Sequence, residues 1–96
     1  MSNVNVGFQV IPRADGKDIH ALVDEAIKVV HESGVTYEVG PLETVMEGEM
    51  DELLEIVKKA QQACIDRGAS DVMTYIKVQN SPGNDVSMNE KVSKYR

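Results

Sequence analysis

The sequence predicts one α+β domain with the element order βαββαβ and a short C-terminal helix. Two observations lead to this prediction. Hydrophobic residues alternate with a period of two at 3–12 and 71–80, and they recur every three to four residues at 18–33 and 49–67. The 96 residues suffice for a single domain with a thin core, and 42% hydrophobic with 27% charged residues is typical of a globular chain. Residues 1–96 are therefore expected to form one domain.

The first half predicts a strand over 3–12, which ends at Pro12, and a helix over 18–33. Asp18 is placed to cap the start of this helix, and Gly34 stands where a left-handed residue commonly ends one. The apolar positions are Val4, Val6, Phe8 and Val10 in the strand and Ile19, Leu22, Val23, Ala26, Ile27 and Val30 in the helix.

The second half repeats this design. Residues 35–39 and 43–47 are predicted strands joined by a short Gly-Pro turn, 49–67 is a predicted helix, and 71–80 is the fourth strand. Two such halves with right-handed crossovers give a four-stranded antiparallel sheet with strands 1 and 3 in the centre and both helices on one face, the ferredoxin-like sandwich. The apolar stripe of the second helix comprises Met50, Leu53, Leu54, Val57, Ala60 and Cys64.

The C-terminal segment contains a capping box at 87–90 and an apolar stripe beyond it, which predicts a short helix. This helix is expected to dock on its own subunit or on a neighbouring one. The sheet face opposite the two long helices carries Gln9, Met73 and Tyr75, and no segment is predicted to cover it. A second subunit is expected there, in a homodimer or homotetramer.

Charge and aromatic content argue against nucleic acid. The net charge is −6, with 16 acidic and 10 basic residues, whereas binding to phosphates requires Lys and Arg. The RNA-binding version of this fold stacks bases on aromatics of the central strands, but Phe8 is in register with the buried valines and 43–47 contains no aromatic residue. An acidic surface suits neutral or cationic ligands, although solubility alone also accounts for it.

Three features of the sequence bear on the cellular compartment of the protein. The lone Cys64 cannot form an intrachain disulfide, the first ten residues lack the order of a signal peptide, and no apolar run approaches the roughly 20 residues of a membrane span. A cytoplasmic protein is expected.

Metal and thiol chemistry find little support. His20 and His31 lie on one predicted helix but about 16 Å apart along its axis, so they cannot share an ion. Cys64 belongs to an apolar stripe, where a small core residue is the simpler interpretation, and there is no Cys-x-x-Cys motif. No metal site is expected.

Three carboxylates cluster around the hairpin of the middle strands: Glu38, Glu43 and Glu47. Paired carboxylates can perform acid–base chemistry, but no nucleophile with an adjacent base accompanies them. Solvated surface charges and ligand contacts are the two other interpretations. The sequence therefore predicts a binding protein rather than an enzyme.

The segment from residue 37 to residue 49 is the most distinctive in the chain. It combines a Gly-Pro turn, a threonine and a Glu-Gly helix entry, and it resembles the small thiamine-binding protein family, single-domain relatives of tandem-domain thiamine/hydroxymethylpyrimidine-binding proteins. The tail at 90–96 is also similar to the tail of family members, so the resemblance spans the chain. The residues of the central motif are Tyr37, Pro41, Thr44, Glu47 and Gly48.

The resemblance implies dimers or tetramers that bind thiamine (vitamin B1) or its hydroxymethylpyrimidine moiety without transforming it, for storage, delivery or sensing. It implies no cofactor. Tyr37, Thr44 and Glu47 would line the pocket, Pro41 would shape the turn, and Gly48 would open the second helix. A polar cup formed by the turn and the start of that helix is the expected site.

Geometry adds two candidates to that set. Gln9 on strand 1 neighbours strand 3, and Glu38 belongs to the hairpin cluster. The predicted ligand-binding residues are Gln9, Tyr37, Glu38, Pro41, Thr44 and Glu47. The sequence leaves open which face Thr44 and Glu47 take. Two alternatives also stay open: an oligomeric protein–protein interaction module without a ligand, and an enzyme that uses the hairpin glutamates.

Overall fold

Four antiparallel strands form one sheet in the order β2-β3-β1-β4, in a computed structural model that describes residues 2–96. The elements are β1 (Val4–Arg13), α1 (Ile19–Ser33), β2 (Thr36–Val39), β3 (Thr44–Gly48), α2 (Met50–Asp66), β4 (Asp71–Gln79) and α3 (Met88–Val92), with a final 3₁₀ turn (Ser93–Tyr95). The ferredoxin-like α+β fold is confirmed, with β1 and β3 in the centre. Within residues 2–96, none of the helices has the length and apolar character needed to span a membrane.

The predicted ends of α1 and the predicted start of α3 are confirmed by their caps. The Asp18 carboxylate accepts a hydrogen bond from a backbone N–H in the first turn of α1, and Gly34 ends that helix at φ 82°. Ser87 caps α3 by accepting from the N–H of Glu90 at 3.2 Å. Glu49, predicted as the first residue of α2, is instead its cap.

The core lies between the sheet and the two long helices. Every second residue of β1 from Val4 to Val10 is buried there, as the alternation predicts. On α2 the buried stripe departs from the predicted one at three residues, because Ile56 is buried whereas Met50 and Leu54 are only half-buried. The buried core comprises Val4, Val6, Phe8, Val10, Leu22, Ala26, Val30, Met46, Leu53, Ile56, Val57, Ala60, Cys64 and Ala69.

The register of β3 decides which of its side chains face the helices. Thr44 pairs with Phe8 of β1, so it points towards the helices. Glu47 pairs with Asn5, and paired residues share a face, so Glu47 points to the opposite, open face of the sheet.

β1 runs past Pro12 to Arg13, so the predicted strand end was wrong. Pro12 pairs with Val72 of β4, but β3 has no residue opposite it. Proline has no backbone N–H to donate. The position of the missing N–H of Pro12 is on the side of β1 that has no partner strand, where a sheet tolerates proline.

The C-terminal segment lies on the open face, which corrects the expectation that nothing in the chain covers it. The backbone N–H of Met88 donates to the Glu47 carboxylate at 2.7 Å, and Lys91 Nζ donates to Asn5 Oδ1 at 2.8 Å. Arg96 forms an ion pair with Glu38 of β2. These three contacts lay α3 and the tail across the sheet of its own subunit.

Part of the open face stays uncovered. Ile11 of β1 and Met73 and Tyr75 of β4 lie on this uncovered part, and they are 38%, 49% and 57% exposed. Ile76 and Val78 point to the helix face of β4, but they remain exposed as well. The edge and outer face of β4 therefore carry most of the exposed apolar surface of the sheet.

Candidate ligand-binding site

A cleft of about 280 Å³ lies at the end of the sheet where β2 and β3 are joined. Apolar side chains form most of its wall, and a few polar groups converge on it, as is typical of small-molecule sites. Its lining residues are Phe8, Gln9 and Val10 from β1, His20, Val23, Ala26 and Ile27 from α1, and Val39, Gly40, Pro41, Glu43 and Thr44 from the β2–β3 connection. We call this the turn cleft.

The turn cleft exists because β1 and β3 end at different levels. The ladder between them stops at the pair Phe8–Thr44, while β1 continues to Arg13 alongside β4 alone. The β2–β3 connection turns away at that level, closed by a hydrogen bond from the Gly40 N–H to the Glu43 carbonyl at 2.9 Å. The backbone of β1 beyond Phe8 is thus left without a partner strand on this side.

The main chain of Val10 is turned into this gap. Alternate residues of a strand direct their N–H and C=O groups to opposite neighbours. The Arg13 carbonyl accepts from the Ser70 N–H at 2.8 Å, on the β4 side, so the backbone groups of Val10 point to the other side. Among residues 2–96 no backbone group bonds to Val10 from the β2–β3 connection. The turn cleft therefore offers an adjacent donor and acceptor.

Polar side chains of Thr44 and His20 add to this edge. Thr44 is 6% exposed, and no side-chain hydrogen bond in the described part of the chain engages its hydroxyl. Glu43 also lines the turn cleft, but its carboxylate lies over Gly7 on the open face, where it forms an ion pair with Lys77 at 3.0 Å. His20 contributes an imidazole from the first turn of α1. The site thus combines hydrogen-bond donors and acceptors with an imidazole.

Three predicted site residues meet here. Pro41 and Thr44 line the turn cleft from the β2–β3 connection, and Gln9 lies at its rim. Gln9 pairs with Tyr75, so its side chain points to the open face. The part of Gln9 that borders the turn cleft is therefore its backbone, next to Val10.

The other three predicted residues lie elsewhere. Tyr37 faces the helices, packs against the core, and places its hydroxyl 2.7 Å from Nδ1 of His31. Glu38 and Glu47 are on the open face, where both contact the C-terminal segment. The structure thus divides the predicted set between the turn cleft, the core and the open face.

The wall opposite the turn comes from α1, whereas the sequence predicted the start of the second helix. Gly48 is the last residue of β3, and α2 begins one strand length from the turn, about 16 Å away. The residues missed were His20, Val23 and Ile27. Topology contained the signal, because α1 starts at the end of the sheet where β1 ends and antiparallel β3 begins.

Cys64 lies in the core and lines neither the turn cleft nor the open face of the sheet. Its side chain is 0% exposed and the thiol donates to the Leu22 carbonyl at 3.4 Å. Burial, and to a lesser degree the negative charge of Glu25, raises the pKa of the Cys64 thiol above its usual 9.0. Residues 2–96 contain no group of three or more His, Cys, Asp or Glu side chains placed to hold a metal ion.

Comparisons with known proteins identify the family of this chain. The family model described as thiamine-binding protein matches residues 6–96. A UPF0045 protein of Clostridium perfringens is 45% identical over 96 residues, the full length of both chains. A solved domain of unknown function from Bacillus cereus is 53% identical with a TM-score of 0.96, and the match covers 99% of this chain and 91% of that one.

A further solved structure comes from Thermotoga maritima and is described as a candidate thiamine biosynthesis/salvage protein. It is 32% identical, with a TM-score of 0.87, and the match covers 98% of this chain and 99% of that one. The family match spans nearly the whole domain, including the β2–β3 connection and the C-terminal segment. The chain belongs to the thiamine-binding protein family.

Proposed function

We propose that this protein binds thiamine or its hydroxymethylpyrimidine moiety in the turn cleft, without transforming it. The observation that supports this most directly is the free backbone edge of Val10 beside the hydroxyl of Thr44, a residue that is 6% exposed. Membership of the thiamine-binding family makes the ligand class a natural one to test.

The aminopyrimidine ring matches that edge in its hydrogen-bonding pattern. Its amino group is a donor and the adjacent ring nitrogen is an acceptor, the complement of a strand's exposed C=O and N–H. Strand edges recognise extended peptides through the same pairing. The Thr44 hydroxyl supplies a further group that can donate or accept. An apolar ligand would exclude water from these groups and leave them unpaired, which costs free energy. A ligand that forms hydrogen bonds with them is therefore favoured.

The cationic thiazolium ring would lie at the rim of the turn cleft. The volume of about 280 Å³ is at the lower end for small-molecule sites, which suits one heteroaromatic ring inside and the second towards solvent. The net charge of −6 favours the approach of a cation.

The lining groups favour binding over catalysis. His20 and Glu43 are the titratable side chains among the residues that line the turn cleft, and none of these residues forms a nucleophile–base hydrogen bond. Acid–base turnover would require such groups within hydrogen-bond reach of the substrate.

Calorimetric titration with thiamine and with hydroxymethylpyrimidine tests the proposal. Thr44→Val removes the hydroxyl with little change in volume and is expected to weaken affinity about fivefold, since one neutral hydrogen bond contributes ~1 kcal/mol. Thr36→Val is the matched control, because Thr36 is an exposed residue of β2 whose register places it on the open face. It should leave affinity unchanged.

Two outcomes would contradict the proposal. Absence of both heat and thermal shift at millimolar ligand would exclude it, because a ligand at 100 times its Kd stabilises the folded state by about 2.7 kcal/mol. Equal affinities of the wild type and Thr44→Val would place the ligand outside the turn cleft.

We further propose that the protein acts as a homodimer or homotetramer. The exposed Ile11, Met73 and Tyr75 support this, because monomers seldom leave such a contiguous apolar surface on a sheet. Analytical ultracentrifugation of Tyr75→Glu should show dissociation relative to the wild type. An unchanged sedimentation coefficient would reject this surface as the interface.

A further inference from the structure

The side of β4 that faces away from β1 is a long strand edge. Within residues 2–96 no strand pairs with it, because β4 is the last strand of the sheet. It runs for nine residues, from Asp71 to Gln79, whereas β2 at the opposite edge has four. Such an edge presents a row of backbone N–H and C=O groups that another strand can pair with. We call it the β4 edge.

The register against β1 shows which backbone groups lie at this edge. Val10 pairs with Thr74, and the main chain of Val10 points away from β4, into the turn cleft. In an antiparallel ladder the backbone groups of two paired residues either face each other or both turn away. Those of Thr74 therefore point outwards, and by alternation so do those of Val72 and Ile76.

Apolar side chains flank the β4 edge on both faces of the sheet. Met73 and Tyr75 lie on the open face, and Ile76 and Val78 lie on the helix face, 47% and 43% exposed. Edge strands that stay unpaired usually carry charges or proline along their length. Over 71–77 the charged residues stand only at the two ends. The middle of the edge therefore suits contact with another strand.

The sequence of β4 is self-complementary about Thr74. Residues at equal distances on its two sides form matched pairs. From the centre outwards these are Met73 with Tyr75, Val72 with Ile76, and Asp71 with Lys77. If two copies pair in antiparallel fashion with a two-fold axis at Thr74, each residue lies opposite the other member of its pair. Apolar side chains then meet in the middle, and an acid meets a base at each end.

A shift of the axis loses this match. With the axis one residue further along, at Tyr75, Asp71 would lie opposite Gln79. Lys77 would lie opposite Met73. Opposite charges across a strand pair are stabilising, whereas a lysine beside methionine gains no such contact. The charges of β4 therefore favour the axis at residue 74.

Both charged residues are available for a contact between copies. Among residues 2–96 no cationic group lies within ion-pair distance of the Asp71 carboxylate. Lys77 is paired with Glu43 at 3.0 Å, but its side chain is 75% exposed and its ammonium has three donors. Lys77 can therefore contact a second carboxylate as well.

We propose that two copies of this chain associate by antiparallel pairing of their β4 edges about a two-fold axis at Thr74. The two sheets then form one continuous sheet. Asp71 lies opposite Lys77 of the partner subunit, and Met73 lies beside Tyr75 of the partner subunit, a contact between sulfur and an aromatic ring. This inference rests on the self-association proposed above and adds its strand and its register. The turn cleft stays open, because it lies on the other side of β1.

Thr74→Cys tests the register. Hydrogen-bonded partners in an antiparallel ladder lie about 5.5 Å apart between Cα atoms, within the range that a disulfide spans. Mild oxidation should therefore convert this variant into a covalent dimer. Ile76→Cys is the matched control on the same edge and face, because in this register its two copies lie about 14 Å apart and should not bridge. The native Cys64 does not compete, since its side chain is 0% exposed.

Asp71→Lys tests the charge match by sedimentation. It places two lysines opposite each other at both ends of the strand pair, so the dissociation constant of the dimer should rise about tenfold. Asp24→Lys makes the same charge change at an exposed position of α1, and it should leave the dissociation constant unchanged.

Three results would overturn the inference. A covalent dimer of Ile76→Cys in place of Thr74→Cys would reject the register. A wild type that associates, while neither cysteine variant cross-links and Asp71→Lys sediments like the wild type, would assign self-association to another surface. A wild type that stays monomeric would reject both this pairing and the proposed self-association. Thiamine binding is measured separately by calorimetry, so it stands or falls on its own.

Discussion

Thr44 and Glu47 lie on the same short strand, β3, and point to opposite faces of the sheet. Thr44 lines the turn cleft beneath α1, whereas the Glu47 carboxylate accepts a hydrogen bond from the Met88 N–H at 2.7 Å on the open face. Positions three apart in a strand always fall on different faces. A motif that contains both residues therefore serves two structural purposes, the wall of a cleft and the attachment of the tail.

Glu47→Ala is expected to release the C-terminal segment from the sheet. The lost bond has a charged acceptor and is only partly buried, so the free energy of unfolding should fall by about 1 kcal/mol. Hydrogen exchange should accelerate at 88–96 while the core stays protected. Glu47→Gln is the control, because it keeps an oxygen that can accept this bond, and exchange in it should stay near the wild-type rate. Equal exchange in all three proteins would contradict the assignment.

Tyr37→Phe is expected to destabilise the protein without changing thiamine affinity. The substitution removes the hydroxyl that lies 2.7 Å from Nδ1 of His31, a contact between β2 and the last turn of α1. Urea denaturation should show a loss of about 0.5–1.5 kcal/mol. Tyr95→Phe should be neutral, since Tyr95 is 75% exposed.

Thiamine affinity that drops in Tyr37→Phe, at ligand concentrations where the variant is fully folded, would place Tyr37 in the site. That result would restore the role implied by the family resemblance. Unchanged affinity with lower stability would assign the tyrosine to packing between β2 and α1.

Local signals in the sequence were sufficient for the fold. The caps at Asp18 and Gly34 depend on residues within one helical turn, and the alternation in β1 depends on its own neighbours, so each could be predicted directly. Strand order then followed from chain connectivity. These features can be predicted from short stretches of a single sequence.

The site was harder to predict because it depends on pairing between distant residues. The face of Thr44 is fixed by its register against Phe8, and an offset of one residue would reverse it. The docking of the tail relies on polar contacts such as Lys91 to Asn5, which are 86 residues apart and leave no hydrophobic pattern. Composition and periodicity carry no information on such contacts.

Gly40→Ala is expected to distort the turn cleft. A Cβ at this position would lie 3.0 Å from the Glu43 carbonyl oxygen, the acceptor of the bond that closes the β2–β3 connection. The backbone must shift by a few tenths of an ångström, which should weaken thiamine binding in calorimetry. Pro41→Ala adds no atom beside that carbonyl and should weaken thiamine binding less. A Gly40→Ala protein with wild-type affinity would show that the turn does not shape the site.

The buried Cys64 is expected to make stability depend on pH in the alkaline range. Burial raises the pKa of its thiol in the folded state above the unfolded value of 9.0, so the neutral thiol is favoured by folding. Below pH 9.0 both states hold the proton, and this contribution is fully present. As the pH rises further, the unfolded state loses its proton first, and the free energy of unfolding falls until the folded thiol also ionises.

Cys64→Ala isolates this effect from the titration of lysines and tyrosines. Urea denaturation of both proteins should give a stability difference that favours the wild type near neutral pH and shrinks as the pH passes 9.0. The variant also loses the 3.4 Å contact to the Leu22 carbonyl, but that loss shifts its curve by a constant amount below the titration range. Parallel curves through the alkaline range would show that the thiol ionises equally in both states, and that its surroundings admit water.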